Sequence, residues 1–327
     1  MDSSPWLAVH VHVANPYQIE RLVRHVLPEA IQALGDSSAP WFFIRYGEGG
    51  SHLRLRARAV APDNFKAATD ILRRAAYEER DATKDGSSHG WPLASGPGVP
   101  EDGFLPPGTT VTATYSPETG RYGGPLALQI NEGLFCISSR LALQVVNATS
   151  TSNERRVAIA LSLLLATASA LHDDVTGAAA FLQRHADAWE AWPHMPKPDR
   201  GDLFLPLQAA QARGAFERLS SPEARATTRT TAAHWRAALV SACRRFEDFA
   251  AQGSLLVPST GAIARSTEHV RASVASMLAS QMHMFCNRLG FGPAQELLWC
   301  RSLAGALSGR DIPAVSTPPN GFHTLNP

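Results

Sequence analysis

A run of alternating residues near the N-terminus places several hydrogen-bond donors on one side of an extended chain. Residues 52–56 read His-Leu-Arg-Leu-Arg, and successive side chains of a strand point to opposite faces. His52, Arg54 and Arg56 therefore share a face. Each guanidinium is a planar fork of donors that fits carboxylate or peptide carbonyl oxygens. The pattern indicates either a cradle for such groups or the solvated outer face of an edge strand.

A second motif lies in residues 115–124, which read Tyr-Ser-Pro-Glu-Thr-Gly-Arg-Tyr-Gly-Gly. Tyr115, Glu118 and Arg121 bring a phenol, a carboxylate and a guanidinium onto a loop that proline and glycine make rigid, which suits the positioning of a substrate. An ordinary turn with an internal ion pair between Glu118 and Arg121 is the alternative.

A third motif lies near the C-terminus, where His283 and Asn287 are four residues apart in a predicted helix. This spacing puts both side chains on one helix face. Histidine exchanges protons near neutral pH, so His283 is a candidate proton shuttle. A core or surface role for a lone helical histidine is the alternative.

Other chemistries lack their signatures. His10 and His12 form an H-x-H pair, but no third ligand follows at metal-site spacing, so no metal is expected. The glycines at 47–50 do not form a phosphate loop, and no G-x-S-x-G motif occurs. The cysteines are predicted to be free core thiols without C-x-x-C spacing; they are Cys136, Cys243, Cys286 and Cys300.

The hydrophobic pattern predicts an α+β fold. An N-terminal mixed, largely antiparallel sheet with flanking helices is followed by a mainly helical C-terminal half. Strands are predicted at 6–13, 41–46, 51–59 and 111–115, with 41–59 forming a hairpin. Helices are predicted at 17–34, 62–79, from about 126, at 155–171, 174–190, 206–219, 222–250, 266–289 and 293–308. One domain over 1–308, a long loop at 81–109 and a flexible tail at 309–327 are expected.

Composition excludes several classes of protein. The 327 residues are 44% apolar, which excludes a disordered chain. Lys plus Arg number 30 against 29 Asp plus Glu, so no overall field attracts nucleic acid or an anionic membrane. Neither a signal peptide nor an apolar run of about 20 residues is present, and a cytoplasmic protein is expected.

Taken in order, three stretches resemble the lantibiotic dehydratase C-terminal domain, also called the thiopeptide-type bacteriocin biosynthesis domain. They are residues 41–56, residues 115–124 and residues 283–288, which read His-Met-Phe-Cys-Asn-Arg. In multidomain members this domain eliminates glutamate from glutamylated Ser or Thr. Standalone members include elimination proteins and pyridine synthases, which join two dehydroalanines in a formal aza-[4+2] cycloaddition. The resemblance places Arg54, Arg56, Arg121 and His283 at elimination-site positions.

Three departures from the family pattern favour the pyridine synthase. The 327 residues show no sign of the large glutamylation domain, the 81–109 segment looks long, and residues 137–139 lack an acid often found there. A glutamate-elimination lyase and a non-catalytic peptide-binding subunit remain the alternatives. No cofactor is expected, and the expected partners are a modified precursor peptide with its leader and other enzymes of the pathway. The expected catalytic residues are His283, Tyr115 and Arg121, and the expected substrate-binding residues are His52, Arg54, Arg56, Glu118 and Asn287.

Overall fold

The computed structural model describes residues 4–47, 49–78, 105–193, 195, 209–221 and 229–309. Most of the predicted 81–109 loop and the tail beyond 309 lie outside this part of the chain. The described strands are β1 (Leu7–His12), β2 (Trp41–Tyr46), β3 (His52–Ala57) and β4 (Thr110–Thr114).

The strands form one sheet in the order β2-β3-β1-β4. Every pair in it is antiparallel, so the sheet is antiparallel throughout rather than mixed, and the predicted β2–β3 hairpin is confirmed. The register sets Arg54 opposite His10, and His52 opposite His12. Because cross-strand partners share a face, the cationic face of β3 also carries the two histidines of β1.

The opposite face of the sheet is apolar and covered by helices. Val9, Val11, Leu53 and Leu55 are buried in a hydrophobic core that also includes residues of these helices. The helices are α1 (Pro16–Arg21), α2 (Leu27–Ala33) and α3 (Pro62–Glu78).

The helix predicted at 17–34 is interrupted by a π-helical turn, Leu22–Val26, between α1 and α2. Pro28 lies in the first turn of α2 and accounts for the interruption. It has no N–H to donate to the preceding turn, and its ring crowds the carbonyl four residues earlier.

The rest of the described chain is helical. It contains α4 (Pro125–Ala148), α5 (Asn153–Leu171), α6 (Val175–Glu190), α7 (Ala209–Ser220), α8 (Thr231–Ala251), α9 (Thr267–Leu289) and α10 (Pro293–Leu307). The helix predicted at 222–250 begins at Thr231, where the Thr230 hydroxyl accepts a hydrogen bond from the backbone N–H of Ala233. Residues 222–228 lie outside the described chain. Cys136, Cys286 and Cys300 are buried, Cys243 is partly buried, and all four are free thiols, as predicted.

Within the described residues, no helix by itself has the length and hydropathy of a membrane span. The consecutive helices α5 and α6 meet those criteria only when they are taken together, and a bend of 118° separates them.

Side chains from α4 and α9 cover the outer edge of β2. The hydroxyl of Ser139 accepts from the backbone N–H of Phe43 at 3.2 Å, and Arg288 Nε donates to the carbonyl of Phe43 at 2.9 Å. An edge strand normally exposes these groups. The hydrogen bond from Arg288 holds α9 against the edge of the sheet, and so this helix lies beside the cationic face.

Candidate functional site

Three imidazoles lie together on the cationic face of the sheet. The ring of His52 lies 5.1 Å from that of His10 and 4.7 Å from that of His12. Nδ1 of His52 donates to the carbonyl of Gly50 at 2.7 Å, and its Nε2 accepts from Arg54 Nε at 3.0 Å. These two contacts require the neutral tautomer that carries its proton on Nδ1.

All three imidazoles favour the neutral form. Burial, with the charges of Arg54 and Arg56 adding to it, lowers the pKa of His10 to about 4. Burial likewise lowers the pKa of His52 to about 4, although its bond to Gly50 opposes the shift. The pKa of His12 is lowered by burial and by Arg54. At neutral pH these three rings are therefore uncharged and add no positive charge to the face.

Aromatic rings hold the arginines of β3. The guanidinium carbon of Arg54 lies 3.4 Å from the centroid of the Tyr46 ring. That of Arg56 lies 4.8 Å from the Tyr115 ring and 5.3 Å from the Phe42 ring. Such stacking keeps the planar fork of a guanidinium in one orientation, so these arginines are preorganised for an oxygen ligand.

A phenol and a carboxylate meet at the end of β4. The Tyr115 hydroxyl is hydrogen-bonded to Glu132 of α4, and Arg58 NH1 lies 3.6 Å from Glu132 Oε2. Burial and the Glu132 carboxylate raise the pKa of Tyr115 far above its usual range. Tyr115 is therefore a protonated phenol at physiological pH, and the Glu132 carboxylate accepts its hydrogen bond and orients it.

The Tyr115–Glu132 pair borders a cleft of about 1100 Å³ between the end of the sheet, α3 and the start of α4. Arg58 and Lys66 contribute positive charge to its wall, and Trp6, Phe65 and Leu128 contribute apolar surface. This volume accommodates several residues of a peptide.

The 115–124 loop approaches the same face from α4. Gly123 and Gly124 have φ values of +77° and +99°, which only glycine adopts readily, and they fold the loop back onto α4. Arg121 donates to Ser280 of α9 at 3.3 Å and pairs with Glu118 at 3.2 Å. Both side chains are largely exposed. Tyr115 and Glu118 both interact electrostatically with Arg56 and favour its charged form. The loop therefore lies beside the cationic face of the sheet.

An apolar patch lies beneath the loop and beside Arg56. Tyr122 is buried, and its ring meets the ring of Phe135 edge to face at 5.1 Å, which in turn lies 5.3 Å from the Phe42 ring. Leu128 and Cys136 complete this cluster. The patch joins the loop, α4 and β2, and so fixes the distance between the second motif and the first.

His283 contacts Glu296 and Trp189, away from the sheet. Its Nδ1 lies 2.9 Å from Oε2 of the fully buried Glu296, and its ring packs edge to face on Trp189 at 4.8 Å. The second oxygen of Glu296 lies 2.6 Å from His185 Nε2. Burial would raise the pKa of Glu296, but His283 and His185 outweigh it and bring that pKa to about 2. His283 is thus a partly buried member of a His–Glu–His cluster between α6, α9 and α10.

Asn287 binds the protein's own backbone. Its Oδ1 accepts from the N–H of Arg45 at 3.0 Å, and its Nδ2 donates to the carbonyl of Arg45 at 2.8 Å. The geometry gives this side chain a positioning role for β2, since both of its amide groups are engaged there.

The structure thus brings together His52, Arg54, Arg56, Tyr115, Glu118 and Arg121, whereas His283 and Asn287 contact other partners. Sequence reasoning missed Glu132 and the proximity of His10 to this site. The alternation of β1 indicates which face His10 occupies, but its position beside Arg54 depends on the pairing of β1 with β3, which the sequence does not specify. No sequence pattern singles out Glu132, because it is one acidic residue within an amphipathic helix.

Among the described residues, no group of three His, Cys, Asp or Glu side chains is arranged to hold a metal ion.

The comparisons with known proteins agree with this architecture. Residues 6–307 match the family described as the lantibiotic biosynthesis dehydratase C-terminal domain. The chain belongs to this family. No curated protein gives a significant match.

Solved structures share the fold of this family member at low identity. "Pyridine synthase, TbtD, from thiomuracin biosynthesis" has a TM-score of 0.58 and 18% identity, over 93% of this chain and 98% of that one. TsrL has a TM-score of 0.63 and 17% identity, over 94% and 95%. The tRNA-dependent lantibiotic dehydratase MibB from Microbispora sp. 107891 has a TM-score of 0.52 and 19% identity, over 93% of this chain but 28% of that one.

Proposed function

We propose that this protein is a pyridine synthase of thiopeptide biosynthesis. It would join two dehydroalanines of a modified precursor peptide in a formal aza-[4+2] cycloaddition and then release water and the leader peptide. The structural similarity to the pyridine synthase TbtD, over 98% of that protein's length, supports the proposal.

The observation that carries the proposal is the Tyr115–Glu132 pair beside the guanidiniums of Arg56 and Arg58, at the border of a peptide-sized cleft. The reaction needs both alkenes held at reacting distance. It also needs a proton relay that converts an amide into its iminol tautomer. A cleft with fixed donors supplies the first requirement, and a phenol paired with a carboxylate supplies the second.

The steps balance without an oxidant. An amide N–H proton moves to its oxygen to give an iminol, and the two terminal carbons of the resulting 2-azadiene form two C–C bonds with the two carbons of the second alkene. Loss of the hydroxyl with a ring proton releases water. A further elimination breaks the C–N bond to the leader, which leaves as a carboxamide, and the ring becomes aromatic.

The side chains of the site fit these steps. Glu132 can accept the amide N–H proton and pass it to Tyr115, while Tyr115 donates its own proton to the amide oxygen. Arg54, Arg56 and Arg121 can hold peptide carbonyl oxygens, with His52 and Glu118 orienting the arginines. The assignment of His283 as a proton shuttle stays a prediction, and Nε2 is its available nitrogen because Nδ1 contacts Glu296.

A glutamate-elimination lyase is the second candidate. The positive charge of Arg54, Arg56 and Arg121 near the neutral imidazoles of His10 and His52 suits it. Arginines would bind the carboxylates of the departing glutamate, and an imidazole would take the Cα proton.

A leader-bearing thiazolyl peptide with two dehydroalanines tests the proposal. Incubation followed by mass spectrometry is expected to show a pyridine product and a released leader carboxamide. An unchanged peptide together with glutamate release from a glutamylated peptide would instead establish the lyase. Binding of both peptides without turnover would establish a non-catalytic subunit.

A further inference from the structure

A second polar cavity lies on the far side of β2 from the cationic sheet face. Its volume is about 380 Å³, and it is bounded by α1, the end of β2, the start of α5 and the turn between α9 and α10. Arg24, Arg45, Arg156 and Glu20 all line it. Arg45 points here because it alternates with Ile44 and Tyr46 along β2.

Three guanidiniums share one carboxylate in this cavity. Arg45 NH2 lies 2.7 Å from Glu20 Oε2, while Arg156 NH1 and Arg24 NH2 lie 2.8 and 3.0 Å from Oε1. Glu20 is the only acidic residue among the residues that line the cavity in the described chain. The formal charge of these four side chains is therefore +2.

Backbone dipoles do not remove this excess. Arg45 Nε and Arg156 NH1 donate to the carbonyls of Arg288 and Leu289, at the C-terminal end of α9. A helix C-terminus acts as about half a negative charge, but the N-terminus of α5 at Ser152 and Asn153 adds about half a positive charge to the same cavity. About two positive charges stay uncompensated.

The charged groups are poorly hydrated. The side chains of Arg45 and Arg156 are 8% and 10% exposed. Burial lowers the pKa of Arg45, and although Glu20 opposes this, Arg156 and Arg24 add to it. The Nε atom of Arg24 is buried and, among the described residues, has no hydrogen-bond partner. Like charges in a low-dielectric site repel strongly, so a second anion would stabilise the cluster.

We propose that this cavity binds a second carboxylate, carried by an organic acid or by an acidic side chain of a peptide. The ligand would sit beside Glu20 and accept from Arg24. The walls favour an organic acid over inorganic phosphate, because Tyr17, which is 43% exposed, and Phe291 supply apolar surface for a carbon chain. This inference does not depend on the proposed function.

Isothermal titration calorimetry at low salt tests the proposal with three probes: glutarate, an N-acetylated glutamate amide and inorganic phosphate. Glutarate or the amide is expected to bind and to raise the melting temperature. A preference for the amide indicates a peptide source, and a preference for glutarate indicates a free acid. Binding of inorganic phosphate as tightly as glutarate and the glutamate amide would contradict the assignment of the site to a carboxylate. If none of the three probes binds, the proposed site is wrong.

Two variants locate the ligand. Arg24→Gln is expected to weaken binding about tenfold, because it removes the donor with an unused N–H. Glu20→Gln is expected to tighten it, because the competing carboxylate is lost. Arg21→Gln, in the same helix but outside the cavity, is the control and should bind as the natural protein does. Equal affinity in Arg24→Gln would place the ligand elsewhere. If either cavity variant fails to fold, the titration of the natural protein still decides whether a carboxylate binds.

Discussion

The Nε2 atom of His52 accepts a hydrogen bond from Nε of Arg54 at 3.0 Å. This contact exists only while the imidazole is neutral, because a protonated ring has no acceptor. His52 therefore holds the guanidinium of Arg54 over Tyr46, and protonation of His52 would turn an attraction into a repulsion.

The first prediction concerns the pH dependence of stability. The pKa of His52 is about 4 in the folded protein, against 6.5 for an ordinary histidine. Between these values the unfolded chain binds a proton that the folded chain does not, so the free energy of unfolding falls as pH drops from 6.5 to 4 and the effect saturates below 4. For a fully buried imidazole, the free energy of unfolding lost over the whole interval is about 3 kcal/mol.

Urea unfolding at pH 7 and pH 5 measures the part of this loss that falls between those pH values, about 2 kcal/mol. His52→Gln keeps an acceptor for Arg54 but does not titrate, so its stability is expected to change less over the same interval. His10 and His12 still titrate in this variant and leave a residual slope. Identical slopes in the two proteins would show that His52 is not the responsible group.

The second prediction concerns the Tyr115–Glu132 pair. Tyr115→Phe keeps the ring beneath Arg56 but removes the proton donor, so we expect kcat for pyridine formation to fall about 100- to 1000-fold with little change in KM. Glu132→Gln should lower kcat to a similar extent. Because the two groups act as one relay, the double variant should lose little more than either single one.

Tyr77→Phe is a matched control, because Tyr77 is 50% exposed on α3. Its kinetics should equal those of the natural protein. Full activity of Tyr115→Phe in the same mass-spectrometric assay would remove the pair from the mechanism.

The third prediction concerns Asn287. Asn287→Ala leaves both the N–H and the carbonyl of Arg45 without their partner, and we expect the free energy of unfolding to fall by about 2 kcal/mol. The exposed Asn147, near the end of α4, offers the matched control Asn147→Ala, which should change stability by less than about 0.5 kcal/mol.

The kinetics separate a positioning role from a binding role. We expect KM of Asn287→Ala, measured well below its melting temperature, to stay within about twofold of the natural value, because its amide already binds Arg45. A large rise in KM with unchanged stability would instead make Asn287 a substrate-binding residue.

The sequence predicted local features of the fold well. The alternation of residues 52–57 places Arg54 and Arg56 on one face of β3, and the β2–β3 hairpin follows from two short strands around a glycine-rich turn. The order of the strands in the sheet cannot be predicted from local patterns in the same way. Pairing of β1 with β3, which sets His10 beside Arg54, depends on helices α1 and α2 folding the chain back, and no local pattern specifies it.

Partners distant in the chain explain the rest. The spacing of His283 and Asn287 predicts a shared helix face, but the partner of Asn287, Arg45, lies 242 residues earlier. The role of Glu132 follows from two glycines with positive φ, which return the chain from Tyr115 to α4. Periodicity reports which face of a helix is buried, whereas it does not report which buried group meets a carboxylate.

The last prediction concerns His283 and its buried partner. The pKa of Glu296 is about 2 in the folded protein, against 4.5 in an ordinary glutamate, so its charge stabilises the fold above pH 4.5 and this contribution is lost as pH falls through 2. Glu296→Gln is therefore expected to lower the free energy of unfolding at pH 7 by about 3 kcal/mol.

His283→Gln keeps a hydrogen-bonding group near Glu296 but cannot carry a proton. If His283 exchanges protons with the substrate through Nε2, kcat measured well below the melting temperature should fall at least about tenfold while KM changes little. Some stability should also be lost, because His283 helps to stabilise the Glu296 carboxylate. His185→Gln is the matched control, because His185 contacts the other oxygen of Glu296 and packs against the same Trp189. Equal kcat values in the two variants would assign His283 to the packing of α6, α9 and α10 and leave proton transfer to Tyr115 and Glu132.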